Sequence, residues 1–199
     1  GDRPNPCNMH GKHVVVLGGG DTGADCVGTS NRQGAASVTQ LELLPEPPKE
    51  RGASDLWPAW PMTLRTSTSH DEGCTRTFAV RTTRLLADAS GTRLVGLELV
   101  HVEYMDGSLT DIPESTFTLS ADHLFVATGF VAVEMVEMLT KAGVSVDGRG
   151  RIVADPQTGE TSRNNVYVAG DASRGASLVV WALADGRRVA AAVNARLRG

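Results

Sequence analysis

Residues His13–Leu17 read HVVVL, an unbroken apolar run of the kind that a strand buried on both faces of a parallel sheet requires. The run empties directly into Gly18-Gly19-Gly20-Asp21-Thr22-Gly23. Ala24 to Gln33 then carries helical spacing, with Gly34 suited to the left-handed position just past a helix end. Val38 to Leu44, VTQLELL, predicts a second strand. Strand, glycine loop, helix and strand together make a βαβ unit, the building block of a parallel sheet.

Beyond Leu44 the pattern changes. Pro45, Pro47, Pro48, Pro58 and Pro61 interrupt any regular element, which makes 45–62 a long loop. Two meander strands are predicted near Thr77–Leu86 and Leu94–Tyr104, joined through Ser90-Gly91, and Asp106-Gly107 marks a further hairpin turn. Leu124–Ala127 predicts a short buried strand ending in Thr128-Gly129. Helical spacing recurs over Glu134–Ala142, closed by Gly143, and from Ser177 to about Leu197. Between them Arg151–Ala154 predicts a short strand, and Val166–Ala169 (VYVA) a buried one that ends in Gly170-Asp171.

Composition narrows the classes. The 199 residues carry 19 Lys and Arg against 23 Asp and Glu, a net charge of −4 with no basic cluster, which argues against nucleic acid as a partner. No apolar run approaches the roughly 20 residues of a membrane span, and the polar, proline-bearing residues 1–10 lack the apolar centre of a signal peptide. Cys7, Cys26 and Cys74 are odd in number and lack CxxC spacing, which predicts reduced thiols in a cytoplasmic protein and no metal site.

The glycines supply the chemistry. Gly18, Gly20 and Gly23 stand at GxGxxG spacing between a buried strand and a helix, the context in which this spacing binds a dinucleotide. Gly18 permits the turn off the strand, Gly20 lets backbone approach a pyrophosphate, and Gly23 brings helix close to strand, with the helix N-terminus facing the phosphates. Two residues bear on the coenzyme. Glu42, at the end of the second strand, suits a ribose 2′-OH and NAD, whereas Arg32, near the end of the first helix, suits the 2′-phosphate of NADP. Each also has a plainer reading, Glu42 as a solvated carboxylate and Arg32 as a cap on helix carbonyls. At the far end, a strand closing on Gly170-Asp171 puts a carboxylate at a sheet's carboxyl edge, and the following helix offers free N–H donors at its start; taken alone, Asp171 also reads as an N-cap or turn aspartate.

Three stretches carry a wider resemblance: GKHVVVLGGGDTGADCVGTSNRQGA with VTQLELLPEPP, then WPAWPMTLRTSTSHDEG, and finally LFVATGF with NVYVAGDASRGASLVVWALADGRRVAAAV. From about Gly11 to Gly199 the chain resembles the small (β) subunit family of bacterial glutamate synthase, and the WPxWPM segment is its most discriminating feature. The resemblance implies an α/β fold: a Rossmann-like NAD(P)H-binding domain with a β-meander over 11–128, then the C-terminal half of a nested FAD-binding domain over 129–199. It assigns Gly18, Gly19, Gly20, Asp21, Thr22 and Gly23 to the NADPH (or NADH) site. It also implies that Thr128-Gly129 form the turn back to the FAD domain, that Asp171 after Gly170 hydrogen-bonds the ribityl chain of FAD, and that the helix starting near Ser177-Leu178-Val179 points at the flavin.

The resemblance further implies an FAD glycine loop and cysteine-rich iron–sulfur region preceding Gly1, and a glutamate-forming large subunit as partner. Hydride would pass from NAD(P)H to FAD, with no protein acid or base required, so no catalytic residue is assigned. Residues after about 130 would seek sheet partners, either on the NAD(P)H domain or in a second copy. Two alternatives stay open: a related NADPH-dependent iron–sulfur flavoprotein subunit, and a non-catalytic nucleotide-binding fragment. Of the histidines, His13, His101 and His123 read as structural, and His70 falls in a surface loop.

Overall fold

The computed structural model describes residues 7–52, 63–105, 107–131, 133–134 and 136–199. Asp106 of the predicted hairpin turn and the WPAWPM segment, with Trp57 and Trp60, lie outside the described residues. The chain divides into two compact units, Gly1–Thr128 and Gly129–Gly199.

The first unit begins with β1 (His13–Leu17), α1 (Asp21–Arg32) and β2 (Ser37–Leu41). It continues through α2 (Thr68–Asp71), β3 (Thr75–Thr77), β4 (Val80–Ala87) and β5 (Leu94–Met105), and ends with β6 (Ser108–Asp111), β7 (Phe117–Ser120) and β8 (His123–Val126). One sheet is parallel, in the order β3-β2-β1-β8. The other is an antiparallel meander built on the 12-residue β5. One edge of β5 pairs with β4; the other pairs with β7 at Gly96–Leu99 and with β6 at Val102–Met105.

The unbroken HVVVL run now has its cause. Successive strand side chains point to opposite faces. Val14 and Val16 pack with Met9, Val27 and Val38 on the α1 side, while Val15 packs with Leu41, Val80, Leu97, Leu99 and Ala121 on the meander side. β1 is therefore the centre of a helix, sheet, sheet sandwich, and each buried valine contributes about 1.5–3 kcal/mol.

Element ends differ from expectation for local reasons. α1 starts at Asp21 because Asp21-Thr22-Gly23 form its first turn. β2 stops at Leu41, leaving Leu43 and Leu44 exposed. The run Thr77–Leu86 is two strands, broken where Ala79 takes φ 53 and the chain leaves the parallel sheet for the meander. The strand expected at Leu124–Ala127 forms as β8, but on the sheet edge, with Val126 exposed.

The second unit holds α3 (Val136–Lys141), α4 (Asp171–Arg174) and α5 (Val179–Arg198). The strands expected at Arg151–Ala154 and Val166–Ala169 do not form ladders. Their pairing is limited to single bridges, Ile152 with Val146, Ala154 with Thr161 and Tyr167 with Glu160. A strand exists by virtue of its neighbours, and the stretch beside VYVA is short: Thr161 N–H donates to the Val166 carbonyl at 2.8 Å and Val168 N–H to the Gly159 carbonyl at 2.9 Å around the single Tyr167–Glu160 bridge. Asp185, buried on α5, instead ties the unit together by accepting from Arg174 Nε at 3.0 Å and from Arg188 at 3.1 Å. These two guanidinium groups hold its carboxyl down at about 2.

Candidate nucleotide-binding site

The glycine loop lies at the carboxyl end of β1, and its three motif glycines are there for different reasons. Gly18 takes φ +107, and a Cβ on it would stand 2.3 Å from the Ala127 carbonyl oxygen. A Cβ on Gly23, in the first turn of α1, would stand 2.1 Å from the Gly18 carbonyl oxygen. Packing alone forbids a side chain at both. Gly20 is different. It is exposed, it takes an ordinary extended backbone (φ −78, ψ −176), and a Cβ there would meet nothing within 4 Å.

Gly20 is the N-cap of α1 and offers no side-chain cap. The amides of the first turn therefore have neither an intrahelical partner nor a capping side chain, and they carry the positive end of the helix dipole. An anion fits there by hydrogen bonding and by charge. Asp21 and Thr22 are exposed on that turn. The Asp21 carboxylate would repel an anion at this turn, whereas its backbone N–H would attract one.

Around the loop the structure assembles residues that the sequence did not single out. Gln40 on β2 is completely buried, and its Nε2 donates to the Gly18 carbonyl at 2.9 Å. Its Oε1 lies 2.9 Å from His70 Nε2, and His70 Nδ1 accepts from the Ser67 N–H at 3.0 Å. A backbone N–H can only donate and a carbonyl can only accept, so His70 is the neutral Nε2–H tautomer. Burial and nearby Arg76 hold its imidazole below the ordinary histidine value. His70 is thus no surface-loop residue but the third position of α2, in a capping box with Ser67.

Glu42 follows β2 and lies beside Gly19: a Cβ on Gly19 would overlap its carboxylate at 2.1–2.4 Å. Arg76 on β3 pairs with it at 2.8 Å, stacks over Phe78 and donates to the Arg65 carbonyl. Arg32 is placed elsewhere. It ends α1, about 16 Å along the helix from the loop at 1.5 Å per residue, and pairs with Glu72 at 2.5 Å. The structure brings Glu42 to the glycine loop and does not bring Arg32 there.

In the first unit Thr128 is exposed at its boundary. In the second, Gly129 takes φ +87 and Gly170 takes φ +67, packed against Ala182. Asp171 Oδ1 accepts from Ser177 N–H at 3.2 Å and from its hydroxyl at 3.3 Å, which joins α4 to the start of α5. Asp171 lines a cavity of about 460 Å³ with Phe130, Val131, Arg149, Arg151 and Arg174. Leu178 caps α5 without a side-chain bond, and Leu178, Val179 and Trp181 are exposed.

Among the described residues Cys7, Cys26 and Cys74 form no disulfide, and burial pushes the Cys26 and Cys74 thiols up. Among the described residues no cluster could hold a metal ion, and no helix is long and apolar enough to cross a membrane.

A parallel sheet with a glycine loop at its carboxyl edge and an antiparallel meander on one face defines a Rossmann-type nucleotide-binding protein. The chain matches the family described as pyridine nucleotide-disulphide oxidoreductase over residues 2–196, and it belongs to that family. It is 44% identical over 198 residues to the glutamate synthase [NADPH] small chain of Mycobacterium tuberculosis, covering 100% of this chain and 40% of that one. Against the glutamate synthase [NADH] of Saccharomyces cerevisiae the identity is 35% over 198 residues, covering 94% of this chain and 9% of the yeast protein. The chain thus spans about two fifths of the small chains it matches. Among solved structures, the HOCl-induced flavoprotein disulfide reductase RclA of Escherichia coli superposes with a TM-score of 0.56 at 21% identity, over 90% of this chain and 35% of that one, which shows the shared fold.

Proposed function

We propose that Gly1–Thr128 is an NAD(P)H-binding domain and that Gly129–Gly199 is the C-terminal segment of an FAD-binding domain, both belonging to a glutamate synthase small subunit. The observation that carries this reading is Gly20. The fold explains why Gly18 and Gly23 lack side chains but gives no reason at Gly20, whereas a diphosphate drawn onto the uncapped α1 amides requires that open space.

In this reading the amides of Gly19–Gly23 bind the diphosphate. The Glu42–Arg76 pair meets the adenosine ribose: Arg76 favours a 2′-phosphate and Glu42 a 2′-OH. Asp171 and the arginines of its cavity are the groups that would hold FAD, Asp171 toward the ribityl hydroxyls and Arg149, Arg151 or Arg174 toward anionic parts. Bound FAD supplies the acceptor for the hydride that leaves the nicotinamide. The chain's own residues fix where each cofactor lies, and none of them is required to move a proton.

Electrons would then travel to a glutamate-forming large subunit through iron–sulfur centres held outside these residues, since the described cysteines form no cluster. The cytoplasm suits such thiols and such a partner. A related iron–sulfur flavoprotein subunit shares these features, but the 44% identity favours glutamate synthase.

The test is titration of NADPH and NADH into the purified chain, with Gly20→Asp beside it. The extended backbone of Gly20 admits aspartate, a preferred N-cap, so the variant keeps its fold while a carboxylate fills the diphosphate space. Binding by the wild type and its loss in Gly20→Asp support the reading. Equal binding by both, or none by the wild type, overturns it.

A further inference from the structure

An anion-binding loop has to show its N–H groups and hide its carbonyls. In this chain the Gly18 carbonyl is turned inward and held by the buried amide of Gln40 at 2.9 Å, while the Gly18 N–H donates to the Leu41 carbonyl at 2.9 Å. An amide side chain can also sit flipped. A flipped Gln40 would set Oε1 against the Gly18 oxygen, two acceptors facing one another. The Ser67–His70 capping box removes that option, because His70 Nδ1 is taken by the Ser67 N–H and Nε2 can then only donate to Gln40 Oε1. One direction runs through the whole chain of bonds, from Ser67 to His70 to Gln40 to Gly18.

We infer that Gln40 is a positioning residue for coenzyme binding: it keeps the Gly18 carbonyl away from the diphosphate, and His70 on α2 fixes its amide in the only orientation that does so. The inference rests on the glycine loop being the NAD(P)H site. Neither residue touches the coenzyme in this account. Without the relay, the Gly18 carbonyl is free to rotate into the loop mouth, where its lone pairs oppose the anion that the α1 amides attract.

The experiment compares wild type, Gln40→Met, His70→Leu and His70→Gln, each checked by circular dichroism and thermal melting. NADPH and NADH binding is read by nicotinamide fluorescence. Adenosine, which lacks the diphosphate, is read by chemical-shift change. His70→Gln keeps a donor toward Gln40 and an acceptor toward Ser67, so it restores the relay. Gln40→Met and His70→Leu are expected to bind the dinucleotides about tenfold more weakly, the scale of one well-placed hydrogen bond, while His70→Gln stays within about twofold of wild type. Adenosine binding is unchanged in all four. Should Gln40→Met fail to fold, the His70 pair decides alone. Dinucleotide affinity unaffected in the folded variants, or lost together with adenosine affinity, overturns the inference. A wild type that binds neither dinucleotide overturns the coenzyme reading itself.

Discussion

Glu42 and Arg76 meet at 2.8 Å beside the glycine loop, one just past β2 and the other on the neighbouring β3, and both are mostly buried. The pair holds one group suited to each coenzyme. Arg76→Ala is expected to weaken NADPH relative to NADH by about tenfold, and Glu42→Ala, which frees the guanidinium, to shift the ratio the other way. Parallel titrations of the two coenzymes measure it, and an unchanged ratio in both variants would place the adenosine ribose elsewhere.

Gly23 and Gly20 separate packing from binding. Gly23→Ala drives a methyl into the Gly18 carbonyl and is expected to cost about 2 kcal/mol or more. Gly20→Ala enters open space on an extended backbone and should change stability by no more than about 0.5 kcal/mol. Urea denaturation reads both, and equal losses would contradict the geometry.

His70 gives the first unit a pH dependence. Its imidazole is held below the ordinary value near 6.5 by burial and by Arg76, so on acidification the unfolded chain takes up the proton first. Stability is therefore full above about pH 6.5 and is lost as the pH falls below it. His70→Gln has no such titration. Denaturation curves across this range should show the wild type losing more stability than the variant, and parallel losses would remove His70 from the explanation.

Asp185 gives the second unit a pH dependence of the same sign at lower pH, here because its charged form is the one held. Arg174 and Arg188 hold its carboxyl at about 2, so its contribution is complete above the unfolded value near 3.9 and fades as pH falls through 2. Asp185→Asn is expected to lower the melting temperature at neutral pH and to lose less than the wild type on passing from about pH 4 to pH 2. A neutral-pH melting point equal to that of the wild type would contradict this.

What could be read from the chain follows from how local each signal is. HVVVL and the glycine spacing are local statements about a buried strand and a tight turn, and both hold. Gln40 could not be read that way. A glutamine inside VTQLELL looks like any polar residue of a strand, and only the fold, bringing Gly18 and His70 to either end of its amide, gives it a role. Arg76 was hidden for the same reason, since its partner Glu42 lies 34 residues away. VYVA is the converse: its composition is that of a buried strand, but strand formation depends on neighbours, and among the described residues it has beside it the short stretch 159–161, with a single bridge from Tyr167 to Glu160. Arg32 stood close to the motif in sequence, yet the length of α1 carries it away from the loop.

The most direct measurement is an NADPH titration of isotopically labelled chain followed by amide chemical shifts. The account predicts that the largest changes fall on Gly18 to Gly23, with Glu42 and Arg76 next, and that Gly20→Asp abolishes them. Saturable binding whose shifts lie away from this loop, or no shift at all, would contradict the claim that the turn after β1 holds the coenzyme diphosphate.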